Sequence, residues 1–204
     1  MRNFFLLVVF CFAANFLSAQ NAEQRFLENL TVHRSNGTIH FMQAVSNSTS
    51  YISLAVPIGL FASSLINHNN LNEQKSFYIL ETIAVSTGME IAMKHLINRA
   101  RPSTNDSLII PLTDIGSPSF PSGHTSVAFA TATSLSLAYP KWYVIVPSYL
   151  WACTVGFSRM YLGAHYPTDV LAGAIVGSGS AFLCREVNKW LFRSKQNQRK
   201  IIWY

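Results

Sequence analysis

The sequence has little charge. Of its 204 residues only 12% are Asp, Glu, Lys or Arg, while half are hydrophobic, against roughly a quarter charged in an ordinary soluble domain. So few charges cannot cover a surface that faces water on every side, and lipid is the expected solvent. The positive mean hydropathy, +0.23, agrees. Cysteine is scarce as well. Cys11, Cys153 and Cys184 each lie in an apolar run, which excludes a disulfide framework or a cysteine metal site and leaves three small packing residues. Acidic residues are outnumbered 9 to 15, for a formal charge of +6. Much of that excess sits in the last twenty residues. No basic stripe interleaves with exposed aromatics, so a nucleic-acid partner is not expected.

What is present is a succession of apolar runs. Residues 1–19 read as one positive charge, the run Phe4–Leu17, then Ser18-Ala19. That is either a signal peptide cleaved after Ala19 or a first transmembrane helix, and the run is short for the latter. Residues 20–50 are polar, with Phe26, Leu27 and Leu30 hinting at a periplasmic helix lying on the bilayer. Residues 51–187 form the expected membrane core, with spans at Tyr51–Ile66, Phe77–Ile97, His124–Tyr139, Trp142–Phe157 and Val170–Leu183. Gly173, Gly177 and Gly179 suit close helix contact in the last of these. Trp142, Tyr143, Trp190 and Trp203 fall at run ends, where interfacial aromatics belong. Residues 188–204 form a basic tail. With Arg185 and Lys189 leading into it, the positive-inside rule makes the tail cytoplasmic. The expected fold is an all-α polytopic transmembrane helical bundle of five to six spans in a bacterial inner (cytoplasmic) membrane. Counting backward from the tail puts 98–123 and 158–168 on the periplasmic side.

Three clusters of chemically useful residues fall on that one side. The first is Lys94 to Pro102, containing Arg101. The second is Pro121-Ser122-Gly123-His124. The third is Ser158-Arg159 through His165 to Asp169. Lys94, Arg101 and Arg159 supply fixed cations for the oxygens of a phosphoryl group in flight, whose transfer depends mainly on positioning and charge stabilisation. Ser122 and Gly123 at a helix start offer a hydroxyl and backbone N–H groups to an anion, and Ser158 offers a second hydroxyl. His165 is the expected nucleophile, with Asp169 one helical turn on to orient its ring, and His124 the general acid. Pro167 is suited to the first turn of a helix. Glu90, one turn before Lys94, either aims that lysine or is a satisfied buried acid, and Glu81 takes no role. Singly, each cluster has an ordinary explanation as interfacial cations, a turn or a cap. Those explanations leave unexplained why all three share a face.

The spacing Lys94-x₆-Arg101-Pro102, Pro121-Ser122-Gly123-His124 and Ser158-Arg159-x₅-His165-x₃-Asp169 resembles the tripartite signature of the type 2 phosphatidic acid phosphatase superfamily, with every specified position filled. The resemblance implies a metal-independent, cofactor-free lipid phosphate phosphatase on a six-helix membrane scaffold. It implies a phosphohistidine at His165 supported by Asp169, with the phosphate held by Lys94, Arg101, Ser122, Gly123, His124 and Arg159. Removal of 1–19 would leave five spans, with residues 21–50 in place of the sixth. The implied partners are the bilayer and a membrane lipid phosphate: undecaprenyl diphosphate, phosphatidylglycerol phosphate, phosphatidic acid or a lipid A phosphate. The loop Ser103–Phe120, through Leu108, Ile109, Ile110 and Leu112, is expected to cover the site and touch the lipid tail. Soluble acid phosphatases and vanadate haloperoxidases share the scaffold, and the hydropathy argues against both. The rival of a different class is a non-enzymatic lipid-phosphate binding or transport subunit. The oligomeric state is open.

Overall fold

The computed structural model describes residues 22–113 and 116–193. The expected leader, 1–19, and the end of the basic tail, 194–204, lie outside the described residues. Among those described, the chain is all-helical. Helix α1 covers 22–32, α2 Asn36–Ile66, α3 Asn70–Ile97, the short α4 Pro102–Asn105, α5 Gly123–Ala138, α6 Trp142–Tyr161 and α7 Pro167–Arg193. The five long helices follow the five apolar runs in order.

Local signals fix the ends. Ser35 caps α2 by accepting from the Thr38 N–H, and Asn69 caps α3 by accepting from Leu71 and Asn72. Asn98 closes α3 in the left-handed region at φ 46°, its N–H on the Lys94 carbonyl. Pro167 opens α7, as its fixed φ suggests. Between α6 and α7, Gly163 turns the chain at φ +70°, a conformation that costs other residues far more than glycine.

Helix α5 runs through the middle and packs on α2, α3, α6 and α7. It can do so because its buried positions are almost all Ala, Ser or Thr. The tightest approach is α7 on α5. A Cβ at Gly177 would collide with the Ser126 carbonyl oxygen and stand 2.7 Å from the Ala130 nitrogen, and one at Gly173 would stand 2.7 Å from the Ser122 oxygen. Gly179 has open space around it and plays no such part. Gly177→Ala is therefore expected to push two backbones apart and lower the thermal midpoint in detergent by an overpacking cost of about 1–3 kcal/mol or more. Gly179→Ala should leave it unchanged or raise it slightly. Equal midpoints for the two variants would contradict this helix contact.

The bundle is polar inside and apolar outside. Ser46, Thr49 and Ser53 of α2 are buried, as are Thr131, Thr133 and Ser134 of α5, while Leu54, Ile58, Phe77, Ile91, Leu150, Ile175 and Phe182 are exposed. Trp142, Tyr143 and Trp190 are exposed at helix ends. Cys184 is buried in the core with Tyr78, Ile79 and Ala138, whereas Cys153, expected to be a packing residue, is exposed on α6.

Two features bear on the expected layout. First, only α2 and α7, among the described residues, are long and apolar enough to cross a membrane by themselves, so the rest of the five to six spans expected would have to cross packed against them. Helix α5 has 16 residues, below the roughly 20 that span a bilayer, and α3 carries Glu73, Lys75, Glu81, Glu90 and Lys94. Second, residues 20–50 are not a separate surface segment. Helix α2 starts at Asn36 instead of Tyr51, and of the polar residues in that added stretch Ser46 and Thr49 face inward. Helix α1 is docked. Leu27 is fully buried with Ile109 and Tyr166, and Leu30 packs on Met42, Tyr161 and Leu162.

Candidate active site

The C-terminal end of α3, the start of α5, the end of α6 and the α6–α7 turn converge at one end of the bundle around a cavity of about 290 Å³. Its wall holds Lys94, Arg101, Arg159, His124 and His165, with Glu90, Gly123, Ser117 and the α2 residues Thr49 and Ser50. Residues far apart in sequence meet because α3 and α5 pack side by side while α6 and α7 return to the same end.

Each cation is held from behind. Lys94 Nζ donates to the Pro118 carbonyl at 2.6 Å and Ser117 Oγ at 3.1 Å, and pairs with Glu90 Oε1 at 3.3 Å. Arg101 donates through Nε to the Ser117 carbonyl at 2.7 Å and through Nη1 to the Ala164 carbonyl at 2.9 Å. Its burial lowers the guanidinium pKa, against the pull of Asp169 and Glu90, yet arginine starts so high that it stays charged. Arg159 Nη1 donates to Ser46 Oγ of α2 at 2.5 Å, and its buried Nε has no protein partner among the described residues. A buried donor with no acceptor is costly, and an anion in the cavity would remove that cost. The N–H groups of the first turn of α5 add a helix N-terminus to the same wall.

His165 is almost wholly enclosed. Its Nδ1 lies 2.8 Å from the Ser119 carbonyl oxygen. A carbonyl can only accept, so Nδ1 carries the proton and Nε2 keeps its lone pair. Burial pushes the ring's pKa down to about 4, although the neighbouring Asp169 pulls the other way. The imidazole is therefore neutral through the physiological range.

Sequence reasoning and geometry part company in several places. Asp169 Oδ2 is 3.7 Å from Nδ1, too far for the direct bond expected of it. The carboxylate instead accepts from Ser119 Oγ at 2.5 Å, from the Tyr166 N–H at 3.0 Å and from Arg99 Nη1 at 2.7 Å. It orients the imidazole through Ser119. Ser158, expected to hold phosphate, turns its hydroxyl back onto the Val155 carbonyl at 2.6 Å and does not line the cavity. Ser122 is fully buried, its hydroxyl on Thr125 and its N–H on the Asp169 carbonyl, so Gly123 and His124 are what that turn presents. Of the apolar loop, Ile109 is buried against α1, Leu108 and Ile110 point outward, and among the described residues Gly116 and Ser117 are the ones that reach the cavity. Glu81 bonds Asn188 near the far end of α7. Ser117, Ser119, Arg99, Ser46 and Glu23 were missed. Arg99 and Ser119 lie beside motif residues, a signal that could have been used; nothing in the sequence points from Glu23 or Ser46 to this cavity.

The chain is similar to known phosphatases over part of its length. The chain is 36% identical to the lipid A 4'-phosphatase of Bacteroides thetaiotaomicron over 97 residues, 45% of this chain and 43% of that one. It is 41% identical to the undecaprenyl-diphosphatase of Sulfolobus acidocaldarius over 69 residues, 34% of this chain and 33% of that one. The matched region thus spans less than half the length of either curated relative. The fold superposes on the crystal structure of a transmembrane PAP2 type phosphatidylglycerolphosphate phosphatase from Bacillus subtilis with a TM-score of 0.73, at 24% identity, over 85% of this chain and 88% of that one. A family model described as the PAP2 superfamily matches residues 75–193. That stretch takes in more than half of the chain and every cavity-lining residue from Glu90 to His165, and on that ground the chain belongs to the PAP2 superfamily.

Proposed function

We propose that this chain is a membrane phosphatase that hydrolyses a lipid phosphate monoester or isoprenyl diphosphate through a phosphohistidine, without a metal. The observation that carries the reading is the single-tautomer His165, whose free Nε2 belongs to a ring on the wall of a cavity lined by three cations. Nε2 attacks phosphorus, the bond from phosphorus to the lipid oxygen breaks, and His124 gives that oxygen its proton. Water then attacks the phosphohistidine, His124 takes the water's proton, the N–P bond breaks and phosphate leaves. Lys94, Arg101 and Arg159 neutralise the equatorial oxygens in both steps, with the Gly123 turn beside them.

The same reading makes the chain multi-pass, with α3, α5 and α6 crossing the membrane beside α2 and α7. Their exposed aliphatic faces support this, because shared burial of polar groups lets helices that are not apolar throughout lie in lipid. Arg185 and Lys189 stand near the end of α7 remote from the cavity, and the excess of basic residues there supports a cytoplasmic position for that end and a periplasmic one for the site.

The names of the two curated relatives put lipid A phosphates and undecaprenyl diphosphate on the substrate panel. Phosphatidylglycerol phosphate and phosphatidic acid complete it. Phosphate release by detergent-purified protein in EDTA is expected with at least one of the four, and none with His165→Ala. Release that EDTA abolishes would overturn the metal-independent mechanism. Tight binding of a panel lipid with no release would point to a binding or transport subunit instead.

A further inference from the structure

Arg99 lies inside the first cluster, at a position to which its motif gives no role, yet it touches the support behind His165 at several points. Its Nη1 donates to Asp169 Oδ1 at 2.7 Å and to Thr168 Oγ1 at 2.7 Å. Its Nη2 donates to Glu23 Oε2 of α1 at 2.9 Å. The guanidinium lies 4.2 Å from the centre of the Tyr166 ring, and the Arg99 backbone carbonyl accepts the Ser119 N–H at 2.8 Å. Ser119 is the residue whose carbonyl holds His165 Nδ1 and whose hydroxyl holds Asp169. Glu23 completes the ring from outside: its other oxygen accepts the Thr168 N–H at 2.9 Å, capping the first turn of α7 from a different helix.

From these contacts we infer that Arg99, clamped by Glu23 of α1, is a positioning residue that fixes the Asp169 carboxylate and thereby the tautomer and aim of His165. The inference rests on the phosphohistidine reading for its effect on rate, but not for its effect on the ring.

The physical argument runs through Asp169, which is fully buried. Its Oδ2 is satisfied by Ser119 and Tyr166, and its Oδ1, among the described residues, by Arg99 alone. Without the guanidinium, Oδ1 would be a buried carboxylate oxygen with no donor, which is among the costlier defects a protein can hold. The nearest relief is rotation of the carboxylate, whose Oδ2 lies 3.7 Å from His165 Nδ1, or uptake of a proton. Rotation draws Nδ1 off the Ser119 carbonyl, and a protonated carboxyl becomes a donor that competes for that carbonyl and can give its proton to an unprotonated Nδ1, so the ring loses its single tautomer and its aim. Partners that orient a ligating or reacting imidazole from one shell out typically matter by about 10- to 100-fold. Glu23 holds the outer edge of the guanidinium, so its loss should act in the same direction and less strongly. Because the Arg99 backbone carbonyl keeps Ser119 in place whatever the side chain, substitution there isolates the guanidinium from the loop.

Two readouts on the full-length protein test this. In ¹⁵N spectra of the detergent-solubilised chain, wild-type His165 is expected as one tautomer protonated at Nδ1, and Arg99→Gln as a mixture of tautomers. In turnover of p-nitrophenyl phosphate and of the preferred panel lipid, Arg99→Gln is expected to lose about 10- to 100-fold in kcat with little change in KM. Arg99→Lys should recover part of it, and Glu23→Gln should lose the least. The acid limb of kcat/KM should also rise in Arg99→Gln, since Asp169 is then free to hold a proton on the ring. Asp169, Arg159, Arg101 and His124 are the charged or titratable groups around His165, and none of them is altered. A single unchanged tautomer in folded Arg99→Gln would overturn the inference whether or not the protein turns over. An inactive wild type with that same tautomer shift would instead overturn the phosphatase reading and leave the positioning role standing.

Discussion

Replacing His165 with alanine is expected to reduce phosphate release by a factor on the order of 10⁴ or more, the scale of losing a covalent nucleophile. Three other side chains on the cavity wall are poorly placed to take over. Lys94 is engaged by Glu90 and the Pro118 carbonyl, Ser117 by Lys94 and Arg101, and His124 stands on a different helix with no carbonyl recorded to fix its tautomer. Folding should be spared relative to a charge deletion, since the neutral ring bonds Ser119, at 2.8 Å through a backbone carbonyl that can accept water instead and at 3.5 Å through its hydroxyl. The pH profile carries the same test. With the ring's pKa lowered by burial to about 4, His165 stays unprotonated on the neutral side. Acid adds a proton at Nε2 and removes the attacking lone pair, so kcat/KM should decline on this group's account only below about pH 4. A limb at the ordinary histidine value of 6.5 would mean the ring is hydrated in solution and its enclosure overstated. Residual release at a tenth of the wild-type rate in folded His165→Ala would end the phosphohistidine mechanism.

How much of this was legible in the sequence depends on which way a residue faces. Five helices could be read because apolar runs mark the outside of this bundle, and the outside is where hydropathy looks. The N-terminal half of α2 was invisible for the converse reason. Ser46 and Thr49 are buried, serving Arg159 and the cavity, and a polar stretch whose polarity faces inward reads as a loop in water. Gly177 was legible since close helix contact leaves no alternative to glycine, while Gly179, equally glycine, turned out to face open space. The cations and histidines on the cavity wall were named because their chemistry is local to short motifs. The hydroxyls of Ser158 and Ser122 point elsewhere than expected, because sequence reports a hydroxyl but not its rotamer, and each bonds within its own turn. Asp169 was read as bonding the imidazole because i to i+4 spacing on a helix puts side chains together. The carbonyl of Ser119 enters between them from a loop that no periodicity describes. Glu23 shows the limit most clearly: its two oxygens serve Arg99 and Thr168, residues that only tertiary packing brings to it.

His124 has the second largest expected effect, and its signature is selective. A lipid alkoxide or isoprenyl phosphate leaves poorly without a proton, whereas p-nitrophenolate leaves without one. If His124 is the acid, His124→Gln should slow release from a panel lipid by about 10²–10⁴-fold, the usual contribution of general acid catalysis. The first step with p-nitrophenyl phosphate should survive nearly intact. The second step needs a base for the attacking water, and the variant lacks it too, so the phosphohistidine should accumulate. Stopped-flow should then show a burst of one nitrophenolate per chain followed by slow turnover, with phosphate held on an acid-labile bond. The location favours this division of labour. His124 sits in the first turn of α5 while His165 comes from the turn before α7, so two imidazoles reach one cavity from different elements. Asp169 and Ser119 constrain only the second of them. A ring held in one tautomer suits attack, and one free to take up and release a proton suits transfer. Equal losses on the lipid and on p-nitrophenyl phosphate, with no burst, would reassign His124 from proton transfer to simple binding of the phosphate.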